Sequence, residues 1–280
     1  MSAAASPAGA AAGPAGVPAR ARGSSSLDLQ VRTLARRSIR RTLRQPVLVV
    51  PNVVFPLFML AVLSSAGKEI TKVKGFPTHS YITFIISATL IQGAAGAVTI
   101  AGNALGNDIE TGFLRRIALT PVKVPALIIS QLAGVAVLGF GQSVLYLLVG
   151  LAGGASVKTG VGGALVVLAL VLLTILAFGS VGLLAAVFTG SAQQAQGVFV
   201  IGLGLLFMSS MMMPRNLITS SWFKEVATYN PMSYLVEAPR SLFITGWNAQ
   251  ALELGGGIAA GILVFFLTAA ASSMRRKVLA

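Results

Sequence analysis

The side chains able to do chemistry are few and scattered along this 280-residue chain. It has a single histidine, His79, seven Asp and Glu residues, and no cysteine. Metal sites need several His, Cys, Asp or Glu residues at ligand spacing, and the sequence contains no such cluster. Glu237 and Arg240, three residues apart, are spaced for a local ion pair rather than for a catalytic dyad. The sequence therefore predicts neither an enzyme nor a metal site.

A nucleotide-binding loop is not predicted either. Gly154–Thr159 (GASVKT) has a lysine followed by threonine, but the phosphate-binding loop requires a glycine immediately before the lysine, where this chain has Val157. We expect this segment to be a turn between helices, and we expect no cofactor to bind this chain.

The composition excludes a soluble globule. Hydrophobic residues make up 55% of the chain and charged residues only 10%, against roughly 25% charged in soluble domains. Several charge-free windows exceed the roughly 20 apolar residues that a membrane-spanning helix needs. One window, 159–214, is long enough for two helices joined by a polar hairpin near 189–194. The predicted fold is an all-α integral membrane protein with six transmembrane helices, at about 46–66, 79–104, 125–151, 163–188, 194–213 and 252–273.

Lysine and arginine are distributed unequally between the two sides of this topology. Fourteen lie on the side of the termini and seven on the other, which places both termini in the cytoplasm and the chain in the inner (plasma) membrane. The net charge of +14 is then explained by anionic lipid headgroups rather than by nucleic acid. Residues 1–26, rich in Ala, Pro, Gly and Ser, are predicted to be a disordered tail, and residues 27–280 form the six-span domain.

An amphipathic helix is predicted just before the first span. Over residues 27–44, apolar and small residues occupy one half of a helical wheel and arginines the other, the pattern of an interfacial helix on the inner leaflet. A plain basic anchor without helical order is the alternative. The arginines are Arg32, Arg36, Arg37, Arg40, Arg41 and Arg44.

A charge-dense island, 107–122, interrupts the apolar sequence between the second and third spans. Asn107 and Glu110 have the spacing of a capping box, and Ile109, Phe113 and Ile117 form one apolar stripe. Thr120 and Pro121 end the pattern. The island is interpreted as a short helix that either docks in a groove of a partner or rests on lipid.

On the opposite side, the segment 214–253 is semi-polar and rich in aromatic residues. We expect a short helix around 220–228, a break at Asn230-Pro231, and a second helix over 232–243 that together re-enter the membrane under a cover of protein. Polar and methionine side chains within the spans are candidates for a transport path. These path candidates are Gln92, Asn103, Gln131, Gln142, Met208 and Met212.

Two motifs in this order resemble the type-2 ATP-binding-cassette (ABC) exporter permeases, in particular the drug-resistance and daunorubicin-efflux cluster. The first is Glu110–Val122 (ETGFLRRIALTPV). The second combines Trp222, 228–234 (TYNPMSY) and 237–240 (EAPR). The resemblance implies a cytoplasmic coupling helix that contacts a separate ATPase, and an outer re-entrant segment containing Trp222, Asn230, Pro231, Glu237 and Arg240. The coupling residues are then Asp108, Glu110, Gly112, Phe113, Leu114, Arg115, Arg116, Ile117, Thr120 and Pro121.

The resemblance also implies how the work is divided between subunits. ATP and magnesium would bind a dimer of partner ATPases, and the path would form between this chain and a second copy or a related permease, surrounded by lipid. The function expected from this pattern is export of a lipophilic or amphipathic molecule, such as a drug, lipid or glycoconjugate. The alternative function is a membrane scaffold or accessory subunit that does not transport.

Overall fold

The computed structural model describes residues 27–44, 46–112 and 124–279. These residues form ten α-helices joined by turns and by two short 3-10 turns, and no strand occurs among them. The predicted all-α architecture is confirmed. The helices are α1 (Leu27–Leu43), α2 (Pro46–Ala66), α3 (Tyr81–Ala95), α4 (Ala97–Glu110), α5 (Val124–Ala152), α6 (Gly160–Thr189), α7 (Ala192–Phe207), α8 (Ser221–Tyr229), α9 (Pro231–Ile244) and α10 (Ala249–Leu279).

Five stretches of the described chain are long and apolar enough to cross a membrane. They are Val49–Ala66, Tyr81–Glu110, Ala126–Ala152, Gly160–Thr189 and Ala249–Arg276. The predicted fifth span, 194–213, contains only the 16-residue helix α7, about 24 Å long, followed by a turn. That length is shorter than the roughly 30 Å hydrocarbon core, so six crossings stay a prediction.

The second of these stretches is the centre of the bundle and consists of two helices. The chain breaks at Gly96, between α3 and α4, and almost every residue from 81 to 106 is buried. A side chain at Gly182 of α6 would place its Cβ 2.1 Å from the backbone oxygen of Val98, so α4 and α6 touch backbone to backbone. Small residues allow this approach, which van der Waals packing between membrane helices requires.

Helix α1 has the predicted helical order but packs against α5 instead of lying wholly on lipid. Ser38 and Thr42 are buried, and a Cβ on Gly134 of α5 would lie 2.5 Å from the Ser38 hydroxyl oxygen. The alternative of a basic anchor without helical order is therefore wrong. The helical wheel places Ser38 and Thr42 on the apolar half, but a wheel does not show whether that half contacts lipid or another helix of the same protein.

Helices α8 and α9 form the predicted pair and differ from the expected bounds by one residue. The Asn230 side chain caps α9 by accepting a hydrogen bond from Met232 N at 2.9 Å, and it donates one to the Leu205 carbonyl of α7 at 2.7 Å. Most of α9 is buried against α3, α6 and α10. The protein cover that a re-entrant segment needs is thus present. Re-entry into the membrane itself stays a prediction.

Candidate functional site: a buried carboxylate joins three helices

Asp108, in the last turn of α4, is the centre of a charged joint between α1, α4 and α5. Arg41 of α1 donates to its Oδ1 at 2.5 Å and Arg37 lies 3.4 Å from the same oxygen. The Gln131 amide of α5 donates to the other carboxylate oxygen at 2.8 Å. Arg37 and Arg41 are one helical turn apart, so both point from the same face of α1 toward one carboxylate. The joint fastens the N-terminal helix to the end of the central span.

Burial makes this joint strong. The Asp108 side chain is only 2% exposed, whereas Arg37 and Arg41 are 44% and 27% exposed. A buried carboxylate is costly without partners, and removing one partner of such a pair typically costs about 3–5 kcal/mol. Both arginines reach solvent, which screens their attraction to Asp108. The free-energy cost of losing one of them is therefore smaller here.

Glu110, two residues further on, connects the same end of α4 to α7. Its carboxylate accepts a hydrogen bond from Ala192 N, in the first turn of α7, at 3.0 Å. A carboxylate at a helix N-terminus satisfies a free backbone N–H and complements the helix dipole. Close packing supports the contact, since a Cβ on Gly106 would meet the Ala192 backbone at 2.5 Å. The end of α4 therefore holds α1, α5 and α7 together.

The capping box predicted at Asn107 and Glu110 is wrong. Asn107 lies inside α4, which continues to Glu110 and ends at Thr111, with Gly112 at φ +67°. Extending α4 past Asn107 costs less free energy than nucleating a new helix there. Of the predicted coupling residues, Asp108, Glu110 and Gly112 are described, and the following lie outside the described residues: Phe113, Leu114, Arg115, Arg116, Ile117, Thr120 and Pro121.

The six arginines of the segment 27–44 divide into two groups. Arg32, Arg36, Arg40 and Arg44 are exposed, as expected for a polar face. Arg37 and Arg41 were predicted on that same face, but they bind Asp108. The sequence signal that was available is the i,i+4 spacing of these two arginines together with an acidic residue at the end of an apolar run.

A second polar cluster lies at the opposite end of the bundle, around Arg240 of α9. Its guanidinium donates to the carbonyl oxygens of Ser210 and Met211 at 2.8 Å, and to the Phe84 carbonyl and the Ser87 hydroxyl. It also lies 3.8 Å from the centre of the Phe84 ring. Arg240 thereby holds the turn after α7 against α3.

The predicted ion pair between Glu237 and Arg240 does not form. Glu237 instead pairs with Arg215 at 2.9 Å and accepts a hydrogen bond from the Ser210 hydroxyl at 2.6 Å. Arg240 takes backbone carbonyls because the non-helical turn at 208–213 offers acceptors without helical partners. Of the other predicted residues here, Asn230 and Pro231 form the α8–α9 junction and Trp222 is exposed.

The six candidates for a path make different kinds of contact. Gln131 belongs to the Asp108 joint, and Gln142 donates to the Asn52 carbonyl at 2.6 Å. Asn103 accepts from the Gln196 amide at 3.4 Å. Gln92 is buried, and its amide nitrogen has no hydrogen-bond partner among the described residues. Met208 and Met212 are partly exposed in the turn after α7. That these residues line a path stays a prediction.

Sequence reasoning missed a polar pivot at the middle of α2. Pro56 has no N–H to donate to the carbonyl of Asn52, one turn earlier. Tyr146 of α5 donates to that carbonyl at 2.7 Å, beside the bond from Gln142. Gly96, at the break between α3 and α4, packs on the Asn52 side chain. Three spans thus meet where α2 lacks one backbone hydrogen bond and where the chain breaks between α3 and α4.

We expect Tyr146→Phe to loosen this pivot. The change removes one of the two donors to the Asn52 carbonyl and leaves the ring in place, so the cost is about 1–2 kcal/mol. The melting temperature of the purified protein should fall by a few degrees. Tyr229→Phe is the matched control because Tyr229 is 79% exposed, and an equal fall in both variants would contradict the pivot.

Long apolar helices around a buried central pair define a multi-pass membrane protein. The model of the family described as ABC-2 type transporter matches residues 29–244, and the chain belongs to this family. It is therefore a permease subunit of an ABC transporter, a class that has no ATPase site of its own and normally works with an ABC ATPase. The resemblance found in the sequence is confirmed at the level of the family. A comparison with curated proteins gives no match.

Proposed function

We propose that this chain is the membrane subunit of an ABC exporter that moves a lipophilic or amphipathic molecule out of the cell, as the drug-resistance cluster does. Two copies, or this chain and a related permease, would enclose the path above a dimer of ATPases. The end of the bundle that carries α1 faces the cytoplasm of the inner membrane, with both termini on that side. Excess lysine and arginine at this end supports the orientation.

The observation that carries the proposal is the joint at Asp108 and Glu110. It connects α1, α5 and α7 to the last turn of α4, inside the stretch 107–121 that was predicted as the coupling helix and just before its residues 113–121. A force applied to that segment reaches three helices through ion pairs and a helix cap rather than through a flexible loop. Closure of the ATPases on ATP would thus tilt several helices together and open the path outward.

The apolar stripe of the coupling segment tests this function. Phe113→Asp with Ile117→Asp should abolish co-purification with the ATPase and ATP-dependent transport, since an apolar helix face cannot dock in a groove once it is charged. Membrane insertion and yield should stay unchanged. Ala118→Asp, off the stripe, is the control and should still bind the ATPase. Undiminished co-purification of the double variant would overturn the docking proposal.

A scaffold that does not transport is the second candidate. Proteoliposomes that contain the chain and its ATPase distinguish the two functions, because only a permease moves an amphipathic dye in an ATP-dependent manner. A complex that hydrolyses ATP and binds the chain but moves none of a panel of such molecules would favour the scaffold.

A further inference from the structure

Two cavities lie along the same edge of the α9–α10 pair. The first is polar, has a volume of about 230 Å³, and is bordered by Arg215, Tyr234, Glu237, Asn248 and Gln250. It lies at the end of the bundle opposite α1, beside the start of α10. Its lining offers cationic, anionic and amide groups within one small space.

Arg215 determines which ligand charges this cavity favours. Its guanidinium lies 2.9 Å from Glu237 and 4.5 Å from the centre of the Tyr234 ring. Its Nη2 atom is buried and makes no hydrogen bond to any residue that the structure describes. An unsatisfied guanidinium N–H favours an oxyanion, and the neighbouring carboxylate of Glu237 favours a cation. The pair together suits a zwitterionic group.

The second cavity is apolar, has a volume of about 300 Å³, and lies deeper in the bundle. It is bordered by Pro231 and Met232 of α9, Ile262 and Phe266 of α10, and Gly202 and Leu205 of α7. Leu205 and the neighbouring Ile201 are exposed, so the cavity borders the surface of the bundle that faces lipid. Nothing polar lines it, which suits a hydrocarbon chain.

The two cavities are aligned and spaced for one amphipathic molecule. Leu254 borders the polar cavity and Ile262 the apolar one. They are about two helical turns apart and lie on adjoining sides of α10, about 80° from each other around its axis. The separation along the helix is about 12 Å, close to the roughly 15 Å that one leaflet contributes to the hydrocarbon core.

Aromatic residues place the polar cavity at the level of lipid headgroups. Trp222 and Trp247 are each more than 60% exposed, and Trp247 directly precedes the cavity residue Asn248. Exposed tryptophan and tyrosine mark the membrane–water interface. A headgroup in the polar cavity therefore leaves its acyl chain at the depth of the apolar cavity.

We propose that this edge is a binding site for a resident phospholipid with a zwitterionic, primary-ammonium headgroup such as phosphoethanolamine. The phosphate accepts from the Arg215 guanidinium, the ammonium donates to Glu237 and to the amide oxygens of Asn248 and Gln250, and one acyl chain fills the cavity beside Gly202. In the orientation proposed above, the lipid belongs to the outer leaflet. The site does not depend on transport.

Native mass spectrometry of the purified chain tests the site, without ATPase or nucleotide. The chain is equilibrated with equal amounts of phosphatidylethanolamine, phosphatidylcholine and phosphatidylglycerol that carry identical acyl chains. We expect at least about tenfold preferential retention of phosphatidylethanolamine, equivalent to one charge-assisted hydrogen bond. Glu237→Gln should abolish the preference because it removes the charged acceptor of the ammonium, whereas Arg215→Gln should lower the retention of all three phospholipids because each of them carries a phosphate.

A variant that fills the apolar cavity tests the acyl-chain site independently of the headgroup site. A Cβ at Gly202 meets nothing within 4 Å, so Gly202→Leu should occupy the cavity without strain and reduce lipid retention about tenfold. Gly204→Leu, on the same helix with equally open space and outside the cavity, should retain lipid normally. Because the assay reads binding without ATP, its failure leaves the proposed exporter function untouched.

Three outcomes would overturn the inference. Equal retention of the three phospholipids would show an ordinary lipid annulus. Unchanged retention in Gly202→Leu would place the acyl chain elsewhere. Release of the bound lipid during ATP turnover with the ATPase would identify the molecule as cargo rather than as a resident lipid.

Discussion

Replacing Arg240 with lysine should destabilise the protein nearly as much as replacing it with methionine. The guanidinium serves carbonyl oxygens on two separate segments, Phe84 on α3 and Ser210 and Met211 in the turn after α7, and it also stacks on the Phe84 ring. A lysine keeps the charge but lacks the planar set of donors that reaches all of these groups. Methionine leaves the carbonyls buried without donors.

The expected loss is about 3–5 kcal/mol for either variant, a large part of the 5–15 kcal/mol that stabilises a typical protein. It should appear as a melting temperature lower by about 10 °C and as a smaller monodisperse fraction after purification. Arg276→Met, an exposed arginine near the end of α10, is the control and should leave both values unchanged. If Arg240→Lys instead melts with the parent protein, the charge alone maintains this end of the bundle.

The second prediction is that Asp108→Asn releases α1 from the bundle. Asparagine keeps the size of the side chain and the contact to Gln131, but it loses the charge that binds Arg37 and Arg41. Because the arginines are partly exposed and can turn to water, the cost is about 1–3 kcal/mol rather than the full value for a buried pair. A loss of that size raises the population of detached α1 roughly 5- to 160-fold.

Cysteine labelling measures this population directly, since the chain has no native cysteine. Thr42→Cys places one thiol in the buried contact between α1 and Gly134 of α5. Maleimide should label this thiol slowly in the parent and at least about tenfold faster with Asp108→Asn. Glu253→Gln, an exposed acid on α10, should not change the rate. Equal labelling rates in the parent and Asp108→Asn would show that α1 is held by its apolar packing alone.

Local features of the fold were predictable because their causes lie within a few residues. Asn230 followed by Pro231 favours a helix start through local geometry alone, since the side chain caps the helix and the proline supplies the first-turn geometry. The bounds of α8 and α9 therefore differ from the prediction by one residue. The lengths of the apolar runs likewise located the long spans. The end of α7 at Phe207 was missed because the turn that follows it is held by hydrogen bonds from Arg240, which is distant in the sequence.

Which charges meet was not predictable in the same way. Arg37 and Arg41 are 71 and 67 residues from Asp108, and Glu237 chooses Arg215 over the nearer Arg240. A helical wheel treats every arginine on one face alike, but the approach of α1 to α5 turns Arg37 and Arg41 toward a buried carboxylate. Which charges pair depends on how the helices pack, and the spacing of residues along the chain carries no information about that packing.

The sequence by itself determined the class of this protein. Charge-free length requires membrane helices, the bias of lysine and arginine indicates an orientation, and the motifs after Glu110 and around Asn230 indicate the transporter family. Only the tertiary structure decided that Asp108 joins three helices, that Arg240 holds the turn after α7, and that α9 and α10 share two aligned cavities. The physical reason is that hydrophobicity acts on each segment alone, whereas ion pairs and cavities exist only between segments that packing brings together.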